Sequence, residues 1–258
     1  MSTQSTDSTD NEAQTDDVLR LENVTKQFGN VTAVDDLSFA VREGEILGFI
    51  GPNGAGKSTT FDCVSGTMAP TDGTIYYRGE DVTGRPQHTL VKAGIARTYQ
   101  TFRPLNDRTV LENVALSQVP NSVFSLSDFR ADTDQRAREI CEQVGLGDVT
   151  SQTPDELPHA GLLRLEVGRA LGTDPDLLLV DEPFAGLTTE EIERTAELFT
   201  SLRAEGMTLV VIDHNMHGLL DLVDRVIVIS FGEKIAEGTP EEIQNDPIVQ
   251  EAYLGGEI

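Results

Sequence analysis

Tryptophan is absent from this 258-residue sequence, lysine occurs four times and cysteine twice. Cys63 and Cys141 share no metal-ligand spacing, which argues against a disulfide scaffold or a zinc site and makes a reducing cytosol the expected compartment. Basic residues are also scarce, with 19 Lys and Arg against 44 Asp and Glu, for a formal net charge of −25. With no basic excess to release counterions, generic nucleic-acid binding is excluded, as is direct adsorption to anionic lipid. No apolar run approaches the ~20 residues of a membrane-spanning helix. The N-terminus has neither the basic nor the apolar region of a secretory signal. Any service to a membrane therefore goes through a partner.

The hydrophobic share is 38%, enough in a chain this long to bury one substantial core. So large a surplus of acid destabilises a compact state by self-repulsion. At molar salt the Debye length falls to about 3 Å and that repulsion is largely screened. Acids spread along the whole chain, with scarce lysine, give the composition expected of a cytosolic protein from a salt-accumulating, halophile-like source.

Residues 1–17 are rich in Ser, Thr, Asp and Gln, without a base or an apolar run, and are expected to form a disordered acidic tail. Strand patterns follow at Val18–Val24, Leu37–Val41 and Ile46–Ile50, and a turn plus strand at Thr71–Gly79. From about 87 to 170 the pattern is mostly helical; a helix over Asp132–Val144 is predicted to end at Gly145. Strands at Leu177–Asp181, Leu209–Asp213 and Arg225–Ser230 then alternate with helices. That alternation predicts a parallel α/β sheet whose sequence is interrupted by a helical block.

Gly51-Pro52-Asn53-Gly54-Ala55-Gly56-Lys57-Ser58-Thr59 matches G-x-x-x-x-G-K-[ST] in full, between a buried strand and a helix. Its glycines let backbone N–H groups converge on phosphate oxygens at a helix N-terminus. Lys57 would reach the β- and γ-phosphates, and the Ser58 hydroxyl would ligate Mg²⁺. A chance glycine-rich turn is the alternative, and the complete motif in its proper context weighs against it. Leu177-Leu178-Leu179-Val180-Asp181-Glu182-Pro183 is an apolar strand delivering two carboxylates at its C-terminal end, where ligands sit in open α/β sheets. Asp181 would hold Mg²⁺ through water and Glu182 would polarise an attacking water. Asp-Glu-Pro also begins helices; alone the two readings balance, and the phosphate loop upstream favours the nucleotide.

From about Val18 to its end the sequence resembles the ATP-binding cassette (ABC) ATPases. The resemblance implies a P-loop NTPase fold: a RecA-like parallel core, an antiparallel β subdomain and an inserted helical subdomain at about 97–170. It implies a single domain over 18–258, with a C-terminal helical tail from 239, and ATP and Mg²⁺ as cofactors. Phe28, 29 residues before Lys57, stands where the family stacks an aromatic on adenine. Gln100, ending Ala96-Arg97-Thr98-Tyr99-Gln100, corresponds to a glutamine that ligates Mg²⁺ and reports to the membrane subunit. His214, after Val211-Ile212-Asp213, corresponds to the histidine that contacts the γ-phosphate. The segments Arg164–Leu171, Asp181–Leu187 and Asn245–Gly255 are similar to those of the ATPase of branched-chain amino-acid importers. Urea and short-amide importers share much of this pattern. The implied setting is the cytoplasmic face of a membrane. The implied partners are a second ABC ATPase subunit, two permease subunits and, indirectly, an external solute-binding protein.

The family's Leu-Ser-Gly-Gly-Gln signature, which clasps the γ-phosphate bound on the opposite subunit, is altered. Its place is taken by Leu157-Pro158-His159-Ala160-Gly161. Pro158 offers neither hydroxyl nor N–H, and Ala160 replaces a glycine that allows close approach. Either the backbone and helix dipole suffice, or this is a degenerate half-site that pairs with an intact partner. Thr188, where many relatives carry an acid, is a smaller departure.

Overall fold

The computed structural model describes residues 17–100, 102–118, 126–214 and 216–254. The acidic tail expected over 1–17 lies outside them except for Asp17, which opens the first strand. In chain order come β1 (Asp17–Phe28), β2 (Val31–Arg42), β3 (Ile46–Ile50), α1 (Lys57–Val64), β4 (Asp72–Tyr77), β5 (Glu80–Asp81), α2 (Gln87–Ala93) and β6 (Ile95–Arg97). A helical stretch follows: α3 (Val110–Ala115), α4 (Leu126–Gln143) and α5 (His159–Leu171). The chain closes with β7 (Leu177–Asp181), α6 (Thr189–Ala204), β8 (Thr208–Ile212), α7 (Met216–Leu220), β9 (Arg225–Ser230), β10 (Glu233–Gly238), α8 (Pro240–Asn245) and α9 (Pro247–Leu254).

Two sheets result. The first is antiparallel, in the order β2-β1-β4-β5. The second runs β10-β9-β3-β8-β7-β6, and β3, β6, β7, β8 and β9 pair in parallel within it. Every residue of β3, β7 and β8 is buried, as expected of strands covered on both faces. The loops that leave β3, β7, β8 and β9 emerge at one edge of the sheet, and the site is built there. Phe49 of β3 fills the layer between the sheets, its ring centroid 5.4 Å from that of Phe39 and 6.4 Å from that of Phe61. A second core gathers α3, α4 and α5 against α6 and the other face of the sheet.

β1 and β2 run past the bounds read in the sequence, the two-residue β5 was not read there, and two further strands depart from the pattern. β6 lies inside the stretch read as mostly helical, a three-residue strand too short to show a period, so the helical insertion begins after it. β10 turns back antiparallel on β9, and its Glu233-Lys234-Ile235-Ala236-Glu237-Gly238 lacks an apolar alternation because it is a half-exposed edge. Gly145, at φ 74°, terminates α4 as expected, its N–H donating to Glu142 O at 3.0 Å while Leu146 N reaches Cys141 O at 2.6 Å. Cys63 and Cys141 are buried and unpaired, and burial pushes both thiols up to about 11. Among the described residues no helix is long and apolar enough to cross a membrane.

Capping boxes, in which a threonine side chain and a glutamate three residues on satisfy each other's backbone N–H, occur at Thr109/Glu112, Thr153/Glu156, Thr188/Glu191 and Thr239/Glu242. The threonine backbone N–H holds Glu112, Glu156 and Glu191 below the usual carboxylate range. A carboxylate depressed on folding contributes stability above its unfolded pKa and loses it as pH falls through the folded value. Urea midpoints should therefore decline on acidification below about pH 4.5. That decline should be shallower in Glu191→Gln, since a glutamine keeps the cap without titrating. An equal slope in the variant would remove Glu191 from this role.

Candidate nucleotide and metal site

β3 runs directly into the Gly51–Thr59 loop. A Cβ on Gly51 would lie 2.2 Å from Ile229 O, and one on Gly56, at φ 105°, 2.3 Å from Ala33 O; both positions require glycine. Gly54 also has positive φ, at 79°. Gly232, in the β9–β10 turn, donates its N–H to Ala55 O at 3.0 Å and accepts from Asp35 N at 2.9 Å. The turn thus stitches the loop to β2. Pro52 and Asn53 face a separate cleft shared with Phe231 and α9. Gly56 caps α1 without a side-chain bond, leaving the first N–H groups of that helix directed into the loop. Lys57 is only 6% exposed, and its ammonium donates to Gly51 O at 2.7 Å and Pro52 O at 3.1 Å. Burial lowers its pKa, against the opposing pull of Glu182 and Asp181. Ser58 is exposed and Thr59 half-buried.

Phe28 ends β1, 49% exposed, with Lys26 Nζ 5.3 Å from its ring centroid. It pairs with Val31 across the hairpin turn, on the hairpin whose Ala33 abuts Gly56. The ring is therefore a half-exposed aromatic on the hairpin that contacts the phosphate loop through Ala33.

Asp181 closes β7, and Glu182 follows in the left-handed region at φ 51°, sparsely populated by non-glycine residues and frequent at functional sites. The Glu182 backbone N–H donates to Ile212 O at 2.7 Å. One carboxylate oxygen lies 2.8 Å from His214 Nε2, and the other accepts from Gln100 Nε2. Residues 100, 182 and 214, separated widely in sequence, thus converge on one carboxylate. Asp213 orders the turn beyond it by accepting from Phe184 N at 2.7 Å. The Asp181 carboxylate accepts from Arg97 Nη2 at 3.0 Å. Burial raises the pKa of Asp181, and Arg97 opposes the rise.

A cleft of about 520 Å³ brings together Ser58, Gln100 and Asp181, with Glu166 and Arg169 on its wall. Hydroxyl, amide carbonyl and carboxylate are hard oxygen donors, the set that suits Mg²⁺. The Gln100 nitrogen is committed to Glu182, so its carbonyl oxygen is the atom offered to a cation. Among the described residues no group of three or more His, Cys, Asp or Glu clusters as a metal cage.

The altered signature lies elsewhere. Pro158 is the N-cap of α5 and makes no side-chain cap bond, and His159 is the first helical residue. His159 Nε2 lies 3.0 Å from Ala185 O, and its ring packs 5.3 Å from that of Phe102. A Cβ on Gly161 would lie 3.2 Å from Leu157 Cβ and 3.3 Å from Pro158 Cδ, so Gly161 packs against its own cap. Pro158, Ala160 and Gly161 line a separate pocket with Arg164 and Arg194. Thr188 is the N-cap of α6, a position that an aspartate would fill equally well, so the cap does not explain the departure from an acid. Sequence reading missed Arg97, Asp62 and Asp213, whose partners lie far off in the chain.

Comparison with known proteins places these features in a family. The family model described as "ABC transporter" matches residues 34–185, and the one described as "Branched-chain amino acid ATP-binding cassette transporter" matches 233–258. The high-affinity branched-chain amino acid transport ATP-binding protein LivG of Salmonella typhimurium is 36% identical over 249 residues, covering 92% of this chain and 98% of LivG. Its counterpart BraF of Pseudomonas aeruginosa is 34% identical, with the same coverage. The solved ADP conformation of an ATP-binding cassette of an ABC transporter superposes with a TM-score of 0.84 at 32% identity, covering 93% of this chain and 99% of that one. With its phosphate loop, paired sheets and convergent carboxylates, the chain belongs to the ABC transporter family, as an ATP-binding cassette of the branched-chain amino acid type.

Proposed function

We propose that this chain binds ATP with Mg²⁺ and hydrolyses it to drive import of branched-chain amino acids, held at the cytoplasmic face of a membrane by two permease subunits. The observation that carries the reading is the grip of Gln100 and His214 on Glu182, at the edge of the cleft that holds Ser58 and Asp181. Phe28 stacks on the adenine. The Gly51–Thr59 loop and the α1 N-terminus bind the phosphates, and Lys57 leaves its loop carbonyls for the β- and γ-phosphate oxygens. Ser58, Asp181 and the Gln100 carbonyl would hold Mg²⁺, which would supply positive charge against that of the phosphates. Glu182 orients water for in-line attack, and its left-handed backbone fixes the carboxylate toward that task. His214 orients Glu182 and contacts the γ-phosphate.

The site is completed in trans by a second ABC ATPase subunit arranged head to tail, as Pro158, His159, Ala160 and Gly161 of this chain complete the partner's. Closure passes to the permeases through the Gln100 segment and α3–α5, and solute arrives from an external binding protein. With Pro158 in place of the serine, the signature can offer backbone N–H groups only from His159 onward. A second reading follows, a heterodimer in which one half-site is weak. ATP turnover by the purified chain in molar KCl with Mg²⁺ tests both. Turnover rising steeply with protein concentration marks a competent homodimer. Firm ATP binding without turnover marks a chain that needs a partner's signature. Failure to bind ATP would overturn the proposal.

A further inference from the structure

Arg97 is a cation where the fold has little room for one. Its side chain is 5% exposed at the end of β6. Nη1 donates to Asp62 at 2.6 Å and Ser65 Oγ at 3.2 Å, and Nη2 donates to Asp181 at 3.0 Å. The guanidinium lies 5.6 Å from the Phe61 ring centroid and 5.1 Å from that of Tyr99. Its Nε is buried without a hydrogen-bond partner among the described residues. Burying a charged group is costly unless its geometry is well matched, so an arrangement with one donor unsatisfied calls for a reason beyond packing.

The reason lies in what Arg97 connects. Asp62 stands one helical turn beyond Ser58 on α1, on the same face. Asp181 ends β7. The guanidinium therefore ties the helix that presents the Ser58 hydroxyl to the strand that presents the Asp181 carboxylate. It occupies one oxygen of Asp181 and leaves the other to the cleft. Three residues further on, the same backbone carries Gln100. All three oxygen donors of the cleft thus depend on elements joined at Arg97.

We propose that Arg97 is the positioning residue of the Mg²⁺ site, holding Asp181 in register with Ser58 through Asp62 and joining both to the Gln100 segment. The inference rests on the nucleotide reading above and deepens it. Residues that hydrogen-bond a metal's ligands typically govern affinity by 10–100-fold although they never touch the ion. A plain structural ion pair predicts something else: loss of stability, with nucleotide binding weakened equally with and without metal.

The test is binding of a fluorescent ADP analogue in molar KCl, first in EDTA and then across a Mg²⁺ titration. For Arg97→Met the Mg²⁺ midpoint should rise about 10–100-fold while the affinity in EDTA stays at the wild-type value. Arg97→Lys, which restores one charged contact, should fall between. Arg97→Met joined to Asp62→Asn removes one of the two acids left without the guanidinium and carries the same readout if the single variant does not fold. An unchanged Mg²⁺ midpoint in a folded variant would overturn the proposal, as would parallel losses in EDTA and Mg²⁺. Absence of Mg²⁺-dependent binding in the wild-type chain would instead sink the nucleotide reading, and this inference with it.

Discussion

Glu182→Gln is expected to bind ATP normally and to turn it over about 10²–10⁴-fold more slowly, the usual worth of a positioned general base. That is roughly 3–5 kcal/mol on the barrier, at 1.36 kcal/mol per tenfold. Glutamine has the same length and can occupy the backbone at φ 51° as glutamate does. It keeps an oxygen for Gln100 or His214, so the variant changes charge with little change of shape. The neighbouring acids cannot substitute. Asp213 is committed to the Phe184 backbone N–H, Glu166 to Arg169 at 2.7 Å, and Asp181 to Arg97. Steady-state turnover in molar KCl, beside direct ATP binding, checks the prediction. Near wild-type turnover would take Glu182 out of the water-orienting role.

Phe49→Ala is expected to cost about 3–5 kcal/mol of stability, a large part of the 5–15 kcal/mol that holds a typical domain together. Phe49 is fully buried, and its ring packs against one aromatic of the antiparallel sheet, Phe39 on β2, and one of the phosphate-loop helix, Phe61 on α1. Removing it opens a cavity at the junction of antiparallel sheet, parallel sheet and phosphate-loop helix. The denaturant midpoint in molar KCl gives the measure. Phe231→Ala is the control, since that ring is 93% exposed and surface substitutions usually shift stability by within about 0.5 kcal/mol. Equal effects for the two would mean that Phe49 does not join the layers energetically.

The fold and the site were legible to different degrees, for physical reasons. β3, β7 and β9 were placed to the residue because each is an apolar run bounded by a turn or a charge. β8 was placed one residue late, since Asp213 leaves the strand and its carboxylate accepts from Phe184 N in the turn after β7. β6 was missed because three residues carry no period, and β10 because an exposed edge needs no apolar face. At the site, the phosphate loop could be read because close backbone approach restricts its composition to glycine at fixed spacing. Glu182 was read from the apolar strand that delivers it, and Gln100 and His214 from family resemblance; that both contact the Glu182 carboxylate had no signal in the sequence, since each sits on a different loop. Arg97 stayed hidden because its partners, Asp62 and Asp181, are 35 and 84 residues away, a separation at which one sequence carries no pairing signal.

The four capping boxes bear on how the protein's charge could be redesigned. With 44 Asp and Glu and a formal net charge of −25, many of its surface acids are candidates for replacement where a lower surface potential is wanted. Glu112, Glu156, Glu191 and Glu242 are different, since each closes the start of a helix or helical turn. A library that neutralises acids at random would mix the two kinds and lose folded members for reasons unrelated to charge. One that spares these four, or admits only glutamine there, would lower the surface potential and keep the helix starts intact.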